Sequence, residues 1–583
     1  MWLNLPFLKS TKSSSIKPVV LVVLDGFGIA PPSPGNSITL ARTPNYDYFK
    51  RTFPSTELIA SGESVGLPAN EVGNTEVGHL TMGAGRVIFQ DLKRISFAIE
   101  KGSFYDNKAF LVAAAHAKKH NSTLHIMGLA SLGSVHSSLD HLLALLQFCR
   151  KEDVKSVALH LFTDGRDAPP NAGLDVIKSV LQRMEILKVG RIATLAGRYY
   201  SMDRDRRWER TQKAFEAITL GKGVVEKDPV ETITKSYAAG KTDEFIEPTV
   251  ILDAEGKATT VDDNDSVIFF NFRVDRPKQL TLAFILPDFE RLKSFDFGYE
   301  DDSKKIEGEV KFDQTFKRVK VPKNMFFVTM TEYQKNLPVS AVAFTPEIVS
   351  NSLPKVLSDV GFKQLHMSES EKERFVTYYF RGMHEEEFEG EDKYIVPSPK
   401  VATYDLKPEM SLPKLVQSFK KELSKNYYKF ILLNFANPDM VAHTGNLKAS
   451  ISAIEITDKY LGILVETVLK SEGTVFVTAD HGNAEELITY PESSFFYTTD
   501  KGTINTDHSN FPVPLIAISK DLQNKKVAFA KGALSDISPT LLSYMGLQIP
   551  QEMTGKVLLP EDIKTAPIAG VRDATDTNQS KRH

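Results

Sequence analysis

Pro18–Gly26 reads PVVLVVLDG. Six aliphatic residues, most of them β-branched, run without a polar interruption until Asp25-Gly26 ends them. The run is too short for a buried helix and shows no polar alternation. It fits a strand buried on both faces, the environment of a parallel sheet. The acid at its carboxyl end is a second clue, because open α/β sheets bind ligands beyond the carboxyl ends of their strands.

The same pairing recurs along the chain. SVALHLF (156–162) leads into TDGRD, RIATLA (191–196) into GRYYSMDRDRRWER, and SVIFFNF (266–272) into RVDR. FILLNF (430–435) leads into ANPDMVAHTG, and TVFVTA (474–479) into DHGNAE. Periodic or charged segments such as 172–187, 207–219 and 448–470 lie between and read as helices, so the fold class is α/β. Carboxylates with histidines cluster near the N-terminus and past residue 430. Arginines cluster between 166 and 276. This sorting predicts two sheets: an outer domain of 17–90 and 344–560, and an inserted domain of 91–343. The polar stretch 300–322 reads as a surface excursion of the inserted domain. Residues 1–16 read as a mobile tail and 566–583 as a disordered one.

Bulk properties narrow the partners. The 583 residues carry 71 basic and 74 acidic groups, a net charge of −3. That balance argues against a general nucleic-acid binder, so any anion site is a local cluster. The single cysteine, Cys149, lies in HLLALLQFCRK. No disulfide framework is possible, and a buried core thiol is expected. No apolar run approaches the roughly 18 residues of a membrane span. The N-terminal patch is broken by Asn4 and Pro6 and does not read as a signal peptide. A cytoplasmic protein is the expectation.

Six metal-ligand types fall in the outer set: Asp25, Asp439, His443, Asp480, His481 and His508. The spacing of Asp439 and His443 puts both on one face of a helical turn. Asp480 and His481 are adjacent, and they serve one ion only if the chain turns, which Gly482 permits. Oxygen and imidazole donors without thiolate suit manganese, magnesium or zinc, with manganese preferred. Six donors exceed the need of one ion, so two ions are expected. The plainer alternative is that each residue is a turn or cap residue at a strand end.

The stretch GNTEVGHL (73–80) offers a hydroxyl. Asn74 or Thr75 before EVGH is a good helix N-cap. A hydroxyl at a helix N-terminus also sits where backbone N–H groups favour an anion. There a metal-activated Thr75 would attack phosphorus and be held as a phosphoester.

The middle segment supplies Arg166 and Asp167 in DGRD, Arg198 and Arg204 in GRYYSMDR, and Arg273 and Arg276 in NFRVDR. Arginines at three strand ends imply a small, multiply charged anion. The alternative is an ion-pair lattice with Asp164, Asp203, Asp205 and Asp275. His136, in SLGSVHSS, joins the cluster by position. Lys372, in SESEKER, reads locally as an ordinary surface lysine.

Taken together, the motifs resemble the 2,3-bisphosphoglycerate-independent phosphoglycerate mutases of the alkaline phosphatase superfamily. The stretches that carry the resemblance include LDGFG, GLPANEVGNTEVGHLTMGAGR, DGRD, GRYYSMDRDRRWER, NFRVDR, SPKVATYDLKPEMS, NFANPDMVAHTG, TADHGNAE and HSNFPVP, spread over residues 17 to 555. The resemblance implies an alkaline-phosphatase-like domain with an inserted second α/β domain. It implies two divalent ions, manganese first, with magnesium, cobalt or zinc as alternatives. Asp439, His443 and His508 would hold one ion; Asp25, Asp480, His481 and Thr75 would hold the other. His136, Arg166, Asp167, Arg198, Arg204, Arg273, Arg276 and Lys372 would bind phosphoglycerate. Thr75, Lys372, Asp167 and Arg276 would carry catalysis, with Thr75 taking the phosphoryl group from 3-phosphoglycerate and returning it to make 2-phosphoglycerate. A monomer acting on a small molecule, without nucleic acid or membrane, is implied.

The sequence departs from the family pattern at several positions. Thr75 stands where serine is expected, Leu132 replaces an acid, Ala442 a glycine and Asn505 a histidine. All proposed ligands and arginines are retained. The extra methyl of threonine restricts χ1 and crowds attack. The alternative activity is a metal-dependent phosphatase or related hydrolase using the same threonine.

Overall fold

The computed structural model describes residues 17–292, 314–489, 502–525, 529–560 and 563. Both expected tails, 1–16 and 566–583, lie outside these residues, as does 300–313. The chain divides into two compact units. One comprises the described residues up to Phe89 and from Glu347 on; the other is Gln90–Pro346.

The first unit is built on an eight-stranded sheet. Its order is Glu391–Val396, Gln364–Glu369, Phe430–Phe435, Val19–Leu24, Thr474–Thr478, Val513–Ile518, Ser55–Ile59 and Gly532–Ala533. Val19–Leu24 is the fulcrum. It is buried along its whole length and pairs in parallel with Phe430–Phe435 on one side and Thr474–Thr478 on the other. Its register sets Leu24 beside Phe435 and Val23 beside Thr478, so all three chains leave the sheet at the same edge. Val513–Ile518 pairs antiparallel to Thr474–Thr478. The helix Leu447–Lys470, capped by the Asn446 side chain on Ala449 N, packs its apolar face over this core.

The second unit repeats the plan with its own sheet and its own cores. The order is Ala341–Phe344, Phe326–Thr331, Ser266–Phe269, Leu124–Leu129, Val157–Thr163, Arg191–Gly197, Thr249–Ile251 and Val224–Glu226. Pairing is parallel except between Arg191–Gly197 and Thr249–Ile251. The strand expected over 266–272 ends at Phe269. Beyond it, Phe272 and Arg273 donate their backbone N–H groups to His136 O, so the ladder gives way to a loop-to-loop link. Cys149 is fully buried, and burial pushes its thiol up to about 12.

One expectation is corrected within the described part of 300–322. Phe316 and Arg318 are buried, not surface residues. Phe316 stacks edge-on to Phe289, and Arg318 bonds Glu290 and the carbonyls of Ala283, Leu286 and Pro287. A guanidinium with that many acceptors can be buried at small cost. Among the described residues no helix is long and apolar enough to cross a membrane.

Candidate active site

At the carboxyl edge of the first sheet the six expected ligands fall into two trios: Asp439, His443 and His508, and Asp25, Asp480 and His481. Within each trio the donor atoms lie within 4.8 Å of one another. Asp25 follows the central strand. Gly26 then takes a left-handed turn (φ +70°), and a Cβ there would lie 2.9 Å from the Asp439 backbone. Only glycine allows this turn with that approach. Asp439 and His443 share the face of the short helix Asn437–Ala442 that Pro438 starts. Gly482 does not use a left-handed conformation. It provides space instead, since a Cβ would collide with the Glu485 carboxylate and Ser509 Oγ.

The donor chemistry fits cations. His443 Nδ1 lies 2.8 Å from Thr506 O, and His508 Nδ1 lies 2.8 Å from Gly73 O. A carbonyl only accepts, so each Nδ1 carries a proton, and in the neutral ring each Nε2 is a lone pair. Those two Nε2 atoms are 3.2 Å apart and face Asp439 Oδ1 at 3.2 and 3.5 Å. With the rings neutral, two imidazole lone pairs and a carboxylate oxygen converge, a donor set that suits a cation; without one, the Asp439 carboxylate raises the His443 pKa. Asp480 Oδ2 is fully buried without a well-formed hydrogen bond, with His79 Nδ1 at 3.2 Å. Burial opposes charge on His481, yet the carboxylates of Asp480, Asp25 and Asp439 outweigh it and lift the imidazole to about 10. Three buried carboxylates in one place demand positive charge.

Thr75 stands at the centre of this cluster, 5% exposed. Its Oγ1 lies 3.0 Å from His481 Nε2, 3.0 Å from Lys372 Nζ and 3.4 Å from Asp25 Oδ1. The cap of the helix Thr75–Ala84 is Asn74, whose side chain accepts from Val77 N. Thr75 is the first helical residue, and its hydroxyl is left for the site.

Lys372 corrects the local reading most sharply. It is buried, and its Nζ lies 2.8 Å from Asp25 and 2.7 Å from Asp439. Burial pulls its pKa down, but the carboxylates of Asp25, Asp439 and Asp480 outweigh that and raise it. Asp439 is correspondingly held well below its ordinary value; burial opposes this, and Lys372 is the chief counterweight. Ser370, Glu371 and Arg374 around it are exposed, which is why the window looks like surface.

Sequence reasoning also missed the supports. Asn434 Nδ2 donates to Asp25 Oδ2 at 2.6 Å, and Asn483 Nδ2 to Asp439 Oδ1 at 2.8 Å. His79 Nδ1 donates to Thr75 O at 3.0 Å. A signal existed for Asn434, an amide inside an otherwise apolar strand, and for His79, one turn below Thr75.

The second unit collects the arginines at its own carboxyl edge. His136 Nε2 lies 3.5 Å from Asp167 and Nδ1 3.3 Å from Asp275. Asp275 also meets Arg204 at 2.6 Å and Arg273 at 3.4 Å. Arg198 is buried between Asp164 and Asp167, so the ion-pair alternative holds for that residue. Arg166 and Arg273 are more than half exposed. Arg276 has its pKa pulled down, first by burial and then by the guanidiniums of Arg198, Arg204 and Arg166, against Asp275. Crowded like charges of this kind hold anions.

Residues 95–335 match the family model described as the BPG-independent PGAM N-terminus, and residues 295–547 match the sulfatase model. The chain is 44% identical over 545 residues to the 2,3-bisphosphoglycerate-independent phosphoglycerate mutase of Clostridium beijerinckii, covering 94% of this chain and 99% of that one. It is 46% identical over 544 residues to the protein of that name from Thermomicrobium roseum, covering 93% and 98%. A crystal structure of Leishmania mexicana phosphoglycerate mutase at low cobalt concentration aligns with a TM-score of 0.57 and 28% identity, covering 94% and 99%. The fold class is an alkaline-phosphatase-like α/β domain with a second α/β domain inserted. The chain belongs to the family of 2,3-bisphosphoglycerate-independent phosphoglycerate mutases.

Proposed function

We propose that the protein is an isomerase that interconverts 3-phosphoglycerate and 2-phosphoglycerate without 2,3-bisphosphoglycerate. The observation that carries this reading is the Thr75 hydroxyl, held 3.0 Å from the Lys372 ammonium and set among two trios of residues able to hold cations. Two divalent ions, Mn2+ by preference, neutralise the carboxylates and favour the ionised hydroxyl when bound.

The chain's own groups then divide the work. Thr75 Oγ1 attacks phosphorus; its bond to phosphorus forms as the bond from phosphorus to the C3 oxygen of the substrate breaks. Lys372 faces the oxygens of the transferring group, where negative charge shifts in the transition state. Arg166, Arg204, Arg273 and Arg276, with His136, hold the carboxylate of the resulting glycerate, and Arg198 orients Asp167 through its ion pair. Asp167 gives a proton to the C3 oxygen and removes one from the C2 hydroxyl, which takes the phosphoryl group back from Thr75. A cytoplasmic monomer with no nucleic-acid or membrane partner completes the reading.

The test is direct. The protein is given 3-phosphoglycerate and Mn2+ without 2,3-bisphosphoglycerate, and product is coupled to enolase. Turnover is expected. Release of phosphate and free glycerate in place of 2-phosphoglycerate would sink the mutase reading in favour of a hydrolase.

A further inference from the structure

The segment SPKVATYDLKPEMS (398–411) supplies no expected ligand, yet it is tied to both halves of the first unit's site. On the Lys372 side, Ser398 N donates to Ser370 Oγ at 3.0 Å and Ser411 N to Glu369 Oε1 at 2.8 Å. On the other side, Asn437 Nδ2 donates to Pro408 O at 2.7 Å, and Asn446 Nδ2 to Asp405 Oδ2 at 3.1 Å. Asn437 and Asn446 bracket Asp439 and His443.

Besides Lys372 itself, which bonds Asp439 directly, one side chain of this segment touches both sides. Tyr404 Oη donates to Glu371 Oε1 at 2.7 Å, one residue before Lys372. Its half-buried ring packs against Val441, Ala449 and Ala453. Val441 lies between Asp439 and His443. A rigid aromatic with one polar tip and one apolar face is suited to this double contact. We infer that Tyr404 is a positioning residue that holds Lys372 and the Asp439–His443 helix in mutual register. The inference rests on the phosphoryl-transfer reading above.

Its two contacts are separable. Tyr404→Phe keeps the ring and removes the bond to Glu371. Tyr404→Ala removes both. Tyr404→Phe should lower kcat about tenfold, the scale of lost supporting contacts at metal sites. KM, Mn2+ affinity and melting temperature should stay unchanged. In a Lys372→Met background the same substitution should cost nothing further, because the residue it acts through is gone. Tyr404→Ala should also weaken Mn2+ binding about tenfold, read by calorimetry without turnover.

Additive losses in the two backgrounds would overturn the inference, as would a Tyr404→Phe loss matched by a fall in melting temperature. Unchanged Mn2+ affinity in a folded Tyr404→Ala overturns it as well. If Tyr404→Ala does not fold, the Tyr404→Phe cycle decides alone. A wild type inactive on 3-phosphoglycerate refutes the functional reading before any variant is compared, so the two failures are distinct.

Discussion

Lys372 Nζ sits 3.0 Å from Thr75 Oγ1, although 297 positions separate them in the chain. The same ammonium reaches Asp25 and Asp439, one carboxylate from each trio. It is therefore both a neighbour of the proposed nucleophile and a fixed positive charge between the two trios.

Lys372→Met should separate those two roles. Loss of the charge facing the phosphoryl oxygens should reduce kcat by about 10²–10³. The carboxylates it now balances would be free for cations, so Mn2+ affinity should rise. Calorimetric titration with Mn2+ and steady-state kinetics check the two halves; a fall in affinity would contradict the charge argument.

Thr75→Ala should abolish turnover, because the hydroxyl is the only nucleophile proposed. Thr75→Ser should retain it, since a primary hydroxyl at the same helix position keeps the bonding partners and loses the methyl that crowds attack. Phosphate incorporated into the protein from labelled substrate, measured after acid quench, should follow the same order.

Proton release should accompany Mn2+ binding. His481 has an ordinary value of 6.5 and is lifted to about 10 by the surrounding carboxylates. A raised imidazole stabilises the metal-free fold fully below pH 6.5, and that contribution fades as pH rises through about 10. Ligation takes the neutral ring, so near pH 8 saturating Mn2+ should displace at least about one proton, and more where Thr75 ionises. Titration in buffers of different ionisation enthalpy reads the number. No dependence on buffer would show that His481 is not a ligand.

EDTA should abolish activity and lower the melting temperature, and excess Mn2+ should restore both. At a hundredfold excess over Kd, a ligand that binds only the folded state adds about 2.7 kcal/mol. The buried carboxylates of Asp25, Asp439 and Asp480 are the groups relieved. A melting curve indifferent to EDTA would count against cation binding.

Asp275→Asn should raise KM for 3-phosphoglycerate by about tenfold with a smaller effect on kcat. Asp275 meets His136, Arg204 and Arg273, so the neutral amide would no longer fix the three groups in one arrangement for the substrate. Burial works against its ionisation, but His136 and the arginines hold its carboxyl far below the ordinary range. The bonds should therefore persist across the neutral range.

The strands that hold the site were legible because each joins an apolar run to a charged group. Asp25, Asp439, His443, Asp480, His481 and His508 could be read as one set for that reason. The polar strands Gln364–Glu369 and Glu391–Val396 were not read. Their sequences, QLHMSE and EDKYIV, bury polar groups that only tertiary partners satisfy: His366 Nδ1 with Val376 O, and Glu391 with Arg381. Lys372 was hidden for the same reason. Its burial depends on two carboxylates far away in sequence, and no local window contains them. Asn74 and Thr75 were equal candidates for a cap, and only backbone geometry could assign that part to Asn74.

The placement of Val19–Leu24 sets a problem for the nascent chain. This strand is made before both of its neighbours, which follow some 400 residues later. At 5–20 residues per second it waits about 20 to 80 seconds without a partner. The inserted unit, Gln90–Pro346, can complete its own sheet in that interval. A six-residue aliphatic strand is meanwhile open to mispairing.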